Sequence, residues 1–337
     1  MLRAMLPQKK YSLVAGIALS VAYGLATYLA MGRVGGMPTI SFLCVLPAVM
    51  GAVPLLFADV DQIKNYLYLI LIPWLTVGTC FLLLYIPGLE ALLCLVLLAS
   101  PFLAMAMVGT LLGWIIRAFI LRSEAKRRAA ALLSMLLPFA TLGIERSLPV
   151  PEQTVQVSSS VEVNAPAATI FRGLAAVDTI EATEYQAGIW NRLGVPRPIR
   201  ATVDKAALGG HRTGHFEGGL RFDEVITAFD APRKMAFDIA VDPSTLRPNS
   251  TERHALEGGY FRFIDATYTL DPLDGERTRL TLSSRYVVKS TVYAYGNLFG
   301  RALVGDFQER VLAVLKLRAE RRAPARSEPV ASGPVEP

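Results

Sequence analysis

Charge is sparse in this chain, and so are cysteine and histidine. Charged residues make up 18 % of its 337 positions, below the roughly 25 % of an average soluble protein, and most of them come after residue 115. The three cysteines, Cys44, Cys80 and Cys94, sit inside apolar runs without paired spacing, so neither a disulfide framework nor a zinc site is indicated. No cysteine occurs beyond residue 94, a pattern compatible with an oxidising compartment. His211 and His215 are four apart on an expected strand, about 13 Å at full extension and too far to share a metal. His254 stands alone in a loop. No metal and no cofactor is therefore expected, and histidine catalysis lacks a nucleophile and an orienting carboxylate at readable spacing.

What the first half has instead is long apolar runs. A hydrocarbon core needs about 20 residues of helix to cross, because no backbone polar group can stay unpaired in lipid. Tyr11 to Met31, Ile40 to Ala58, Tyr66 to Ile86 and Leu89 to Ile116 meet that need. A fifth segment, Ala129 to Ile144, is shorter and carries Pro138; it spans if Arg127 and Arg128 reach the headgroups. The first run comes after Lys9 and Lys10 but exceeds the roughly 7 to 15 residues of a signal-peptide core, so it reads as a retained anchor. Residues 1–147 are thus expected to form an α-helical transmembrane bundle of about five spans.

Basic residues set the expected orientation. Arg3, Lys9 and Lys10 precede the first span, and Arg117, Arg122, Lys126, Arg127 and Arg128 lie between the fourth and fifth, so both segments belong on the cytoplasmic side. Five spans place the C-terminal half outside the cytoplasm, consistent with a bacterial inner membrane and a periplasmic domain; four spans would reverse it. The net charge of +6 reflects these loops and lipid headgroups rather than nucleic acid. Ionisable side chains are nearly absent from the spans, which argues against a transporter or channel. Gly109 and Gly113 form a GxxxG pair suited to close helix packing, and Pro47, Pro54, Pro73 and Pro101 are placed to kink their helices.

After a stiff linker at 148–152 the pattern turns to short alternating segments. Val155 to Val163 reads as a strand, Asn164 and Pro166 start a short helix, and Ile180 to Leu193 reads as a second. Further strands are expected at Arg200 to Ala206, His211 to Phe216, Leu220 to Phe229 and Met235 to Val241, with Gly-Gly turns at 209–210 and 218–219. A polar loop over 242–253 precedes two long strands, Gly258 to Leu270 and Thr278 to Val288. A helix from Thr291 to Arg321 closes the domain, its apolar stripe made of Val292, Tyr295, Phe299, Leu303, Phe307, Val311 and Leu315. Beyond it, residues 322–337 are rich in Pro, Ser, Ala and Glu and are expected to be disordered. Asn249-Ser250-Thr251 matches a glycosylation acceptor, a short motif of little weight by itself.

That order of elements, with the stretches "SVEVNAPAATIFRGL", "LRFDEVITAFDAPRKMAFDI" and "GERTRLTLSSRYV", resembles the START-like (SRPBCC) superfamily and its polyketide cyclase/dehydrase-like group over residues 153 to about 321. The resemblance implies an α+β helix-grip domain, a curved antiparallel sheet around a long C-terminal helix with an apolar cavity between them. It implies little about function, since the superfamily holds lipid carriers, metabolite binders and cyclases alike.

Strand alternation indicates which side chains face that cavity. Leu280, Leu282, Ser284 and Tyr286 share one face, Met235, Phe237 and Ile239 another, Phe222, Glu224 and Ile226 a third, and Tyr260, Arg262, Ile264 and Tyr268 a fourth. With Tyr295 and Phe299 from the final helix, the expected ligand cavity is lined by Phe222, Glu224, Phe237, Tyr260, Arg262, Tyr268, Leu282, Tyr286, Tyr295 and Phe299. Glu224 and Arg262 stand out as charges among apolar neighbours, either fixing a polar ligand group or forming a structural ion pair; the latter is the simpler reading. The leading functional expectation is a membrane-anchored binding module for a hydrophobic small molecule or lipid. A cyclase-like or hydrolytic enzyme, with Glu224 as acid/base, and a regulatory protein acting through protein contacts are the alternatives. Membrane lipids are expected partners and nucleic acid is not; oligomeric state is open.

Overall fold

A computed structural model describes residues 8–33, 39–58, 66–121, 123–248, 251–257, 259–274 and 276–323. Arg3, Arg122, the residues Asn249 and Ser250 of the acceptor motif, and the tail beyond Ala323 lie outside them. The N-terminal part is helical: α1 (Gln8–Arg33), a π turn (Ser41–Val45) leading into α2 (Leu46–Phe57), α3 (Tyr66–Tyr85), α4 (Leu92–Phe119), α5 (Glu124–Ser134) and α6 (Leu137–Ser147). Four stretches are long and apolar enough to cross a membrane: Leu13–Met31, Leu67–Tyr85, Leu92–Phe119 and Glu124–Ser147. The expected second span is helical but shorter, Ser41–Phe57, while the expected fifth is part of a longer stretch broken at Met135 and Leu136, just before Pro138.

Small residues let these helices approach. Gly109 of α4 lies against the backbone of Ala48, and Gly51 of α2 against that of Ala106, so closely that an added Cβ at either would overlap a carbonyl. The contacts fix the directions. Ser20 Oγ donates to the Met50 carbonyl at 2.7 Å and Tyr28 meets Phe42, so α1 and α2 are antiparallel. Thr110 Oγ1 donates to the Gly51 carbonyl at 3.1 Å and Arg117 to that of Leu55 at 2.7 Å, so α2 and α4 run the same way. Val77, Cys80 and Leu84 of α3 cluster with Tyr28 and Met31, which aligns α3 with α1. Ala131 packs among Val49, Val53 and Leu56, and Ile40 N–H donates to Glu145 at 2.8 Å, so α5 and α6 return along α2. The five helical passes therefore alternate.

The second half is a seven-stranded sheet in the order β1-β7-β6-β5-β4-β3-β2, antiparallel throughout. Its strands are β1 (Glu152–Val163), β2 (Pro198–Val203), β3 (His211–Phe216), β4 (Arg221–Asp230), β5 (Lys234–Val241), β6 (Phe261–Pro272) and β7 (Thr278–Lys289). Short helices α7 (Ala167–Phe171), α8 (Ile189–Arg192) and α9 (Thr251–Glu257) lie in the connections, and α10 (Tyr293–Arg322) packs on the sheet, chiefly against β1 and β7. An antiparallel sheet with a long C-terminal helix packed on it is the helix-grip arrangement expected from the sequence.

Two expectations are corrected. Of the helix expected over Ile180 to Leu193 only α8 forms; the segment before it is tied elsewhere, Ile180 N–H donating to Ile199 O at 2.7 Å beside β2, Arg310 donating to Gln186 O, and Arg318 donating to Asp178 O at 3.0 Å and Thr179 O at 2.7 Å just ahead of it. The polar loop after β5 contains α9, whose Leu256 packs beside the Phe216–Leu220–Leu246 cluster.

Candidate functional site

Along α10 the contact with the sheet changes character. Its C-terminal half presents Leu312, Leu315 and Ala319 to a closed core that includes Ile170, Leu174, Ile226, Met235, Phe237, Tyr268, Leu280 and Leu282. Its N-terminal half presents Phe299, Leu303 and Phe307, all only half-buried. There the rings form two strings. Phe307, Phe216, Phe222, Phe263, Phe261 and Tyr286 succeed one another at centroid separations of 6.0, 4.6, 5.3, 5.0 and 4.6 Å. Tyr295 meets Phe299 at 4.9 Å, and Phe299 meets Trp190 at 6.4 Å.

The expected cavity set therefore divides. Phe222 and Phe299 belong to these strings of rings, and Tyr286 ends one of them. Phe237, Tyr268 and Leu282 belong to the closed core instead. Tyr260 is half-buried and lies one residue before β6. Arg262 is corrected outright: its side chain is 65 % exposed and faces Glu152 at 3.7 Å. The cause is a bulge in β6 between Phe263 and Asp265, which reverses the alternation so that Phe261 and Phe263 face inward before it and Ala266, Tyr268 and Leu270 after it.

Glu224 is buried as expected, but its partner is Arg212, directly opposite on β3. Arg212 Nη1 donates to the Glu224 carboxylate, Nε donates to the Ala175 carbonyl at 3.0 Å, and the guanidinium lies 5.1 Å from the Phe237 ring centre. Burial pushes the Glu224 carboxyl above its ordinary range, against the pull of Arg212. Burial likewise pushes the Tyr268 hydroxyl up to about 12. Arg212 is absent from the expected set, though the sequence holds a signal for it: the hairpin centred on Gly218 sets residues six positions either side opposite each other, and 212 and 224 are that pair.

Two further features have no such signal. Gln308 is fully buried on α10, donating to Val157 O at 3.1 Å and Ser284 Oγ at 2.9 Å while accepting from Ser159 Oγ at 3.0 Å. It pins the helix across β1 and β7. The Tyr286 hydroxyl is buried with no hydrogen-bond partner among the described residues and abuts α10 at Gly300, where a Cβ would lie 2.9 Å from it. Burial raises it to about 12.

A cavity of about 20 Å³ lies between α7 and the C-terminal part of α10, lined by Thr169, Gly173, Ala176, Leu315, Arg318 and Arg322. It suits one water rather than an acyl chain. His211 is exposed, and His215 Nε2 lies 3.1 Å from Thr202 Oγ1.

No protein-family model matches the chain, and no curated protein matches it. Among solved structures, an aromatase/cyclase from a Streptomyces species is 18 % identical, covering 51 % of this chain and 98 % of its own, with a TM-score of 0.36. A START superfamily protein from Mycobacterium smegmatis is 16 % identical, covering 49 % and 97 %, with a TM-score of 0.34. A norcoclaurine synthase point mutant from Thalictrum flavum is 15 % identical, covering 52 % and 99 %, with a TM-score of 0.33. Each of these matches covers about half of this chain.

Proposed function

We propose that this chain is an integral membrane protein that holds its START-like domain at one end of a five-pass bundle, where the domain binds a hydrophobic small molecule or lipid between sheet and α10. The observation that carries the reading is the row of aromatic rings along the N-terminal half of α10, where half-buried Phe299, Phe307, Phe222, Phe261 and Phe263 pack with buried Phe216 and Tyr286, beside the closed core at the other end. Rings rotate about two bonds and can part to admit a chain, then close on it. The Arg212–Glu224 pair stands at the inner end of this groove, since Glu224 lies between Phe222 in the groove and Ile226 in the core.

The bundle supports the anchoring part of the reading. Large apolar side chains such as Leu71, Leu75, Leu82, Leu111 and Leu112 are exposed on it, a surface suited to lipid rather than water. The enzyme reading gains less, because the Glu224 carboxylate is already engaged by Arg212 within the protein.

The test is to purify the full-length protein in mild detergent, extract it with organic solvent and identify co-purifying molecules by mass spectrometry. A hydrophobic compound enriched over bulk membrane lipid is expected, and its recovery should fall when Phe222 or Phe307 is replaced by Asp. Recovery no different from bulk lipid in all three proteins would sink the reading.

A further inference from the structure

Resting on that binding reading, we propose that the groove fills from the bilayer. The hydrocarbon chain of a membrane lipid passes from the outer face of α4 into the groove beside Tyr295 and Phe299, and the Tyr295 hydroxyl is the latch on that path.

Pro101 lies inside α4. Lacking an N–H, it leaves the carbonyl four residues earlier, that of Leu97, without its helical partner. Tyr295 from the first turn of α10 donates to that carbonyl and lies 3.2 Å from Ser100 Oγ. Leu97 is in the second turn of α4, within the apolar stretch Leu92–Phe119. The soluble domain thus reaches past the end of the bundle to the side of an apolar helix.

Apolar side chains are exposed on either side of the contact. On α4, Leu92 (41 % exposed), Val96 (43 %) and Ser100 are spaced by four and form one outward stripe ending at Tyr295. On the domain side Tyr295 touches Phe299, and Phe299 touches Trp190. Beside these rings Leu298 is 63 % exposed and Ile189 65 %. Such side chains are costly in water and at home at the boundary of headgroups and acyl chains. A hydrocarbon chain is the occupant this stripe fits, since it starts on the face of α4 turned outward from the bundle.

Full-length protein reconstituted in phosphatidylcholine vesicles containing a phospholipid with a diazirine in its acyl chain tests the proposal. Irradiation and peptide mapping should place adducts on the segments containing Ile189–Trp190 and Leu298–Phe299, besides those on the helices. Tyr295→Phe removes the latch. Pro101→Ala releases it differently, by restoring to the Leu97 carbonyl its own helical N–H, with no change in the soluble domain. Each should raise the groove adducts about 2- to 12-fold, the equivalent of one net hydrogen bond, whereas Leu82→Ala on the outer face of α3 should not. Adducts confined to α1–α6 in every variant overturn the bilayer path. A water-soluble apolar dye, 8-anilinonaphthalene-1-sulfonate, separates the two ideas: emission that drops on Phe222→Ala without lipid adducts leaves the binding reading standing and removes the path. Absence of both removes the binding reading and the path with it.

Discussion

Glu224 and Arg212 face each other across a hairpin with little access to water, and such a pair is held less by net Coulomb gain than by the cost of separating it. Glu224→Ala should therefore lower unfolding stability by about 3–5 kcal/mol, because it strands a buried guanidinium. Replacing both, Arg212→Met with Glu224→Leu, should recover most of that loss in the same denaturant titration. A double variant no better than the single one would mean that the loss comes from packing rather than from a stranded charge. Tyr286 makes the opposite case. Its hydroxyl is buried and unpaired among the described residues, so Tyr286→Phe should leave the thermal midpoint unchanged or raise it; a clear fall would reveal a partner for the hydroxyl. The buried acid is legible in the sequence because β4 alternates regularly through Phe222, Glu224 and Ile226. The assignment of Arg262 fails because a single extra residue in β6 inverts a face, and nothing in the side-chain pattern marks where that residue falls.

At the scale of elements, α10 organises the soluble domain by gripping its loops as much as its sheet. Arg318 holds Glu184 through two nitrogens, at 3.0 and 2.6 Å, and that contact pulls the Glu184 carboxyl down to about 2. A carboxyl whose folded value is lowered stabilises the fold above its unfolded value and loses that contribution as pH falls toward the folded one. Unfolding midpoints measured from pH 7 to pH 2 should thus fall between about pH 4.5 and 2, and Glu184→Gln should flatten part of that decline. An unchanged acid slope in the variant would refute the assignment. The long helix itself is readable from its stripe, but the loop it fastens reads as a helix, since tertiary bonds from distant arginines leave no local trace. In the bundle the GxxxG pair is legible as close packing, and the structure ranks its members. An added Cβ at Gly109 overlaps the Ala48 backbone, while at Gly113 it would lie 3.1 Å from Ala52 and at Gly78 it meets nothing within 4 Å. Gly109→Ala should therefore cut the yield of folded protein in detergent sharply, Gly113→Ala mildly and Gly78→Ala hardly at all.

The whole molecule has two distinct ends. One carries the start of α1 with Lys9 and Lys10, the end of α4 with Arg117, and the start of α5 with Lys126, Arg127 and Arg128. The other carries the Glu145 carboxylate, which accepts from the N–H groups of Ile40 and Ser41, each at 2.8 Å, and from Thr291 Oγ1 at 2.9 Å. One side chain thereby fastens the start of the second pass, the end of the last and the segment that leads into α10. Among the described residues of the bundle, the basic ones other than Arg33 and Arg146 lie at the end away from the soluble domain, an arrangement compatible with the five-span reading proposed above. If α5 and α6 lay flat on the cytoplasmic surface, Glu145 would sit among those basic residues rather than one bundle length away, against Ile40. With basic segments retained in the cytoplasm, the soluble domain is expected on the far side. Alkaline phosphatase fused after residue 322 should therefore be active in intact bacterial cells and a green fluorescent protein fused there dark. Moving the same reporters to residue 121 should exchange the results. Fluorescence at both positions would place the soluble domain in the cytoplasm, and α5–α6 would then have to leave the path along α2 that Ala131 and Glu145 mark.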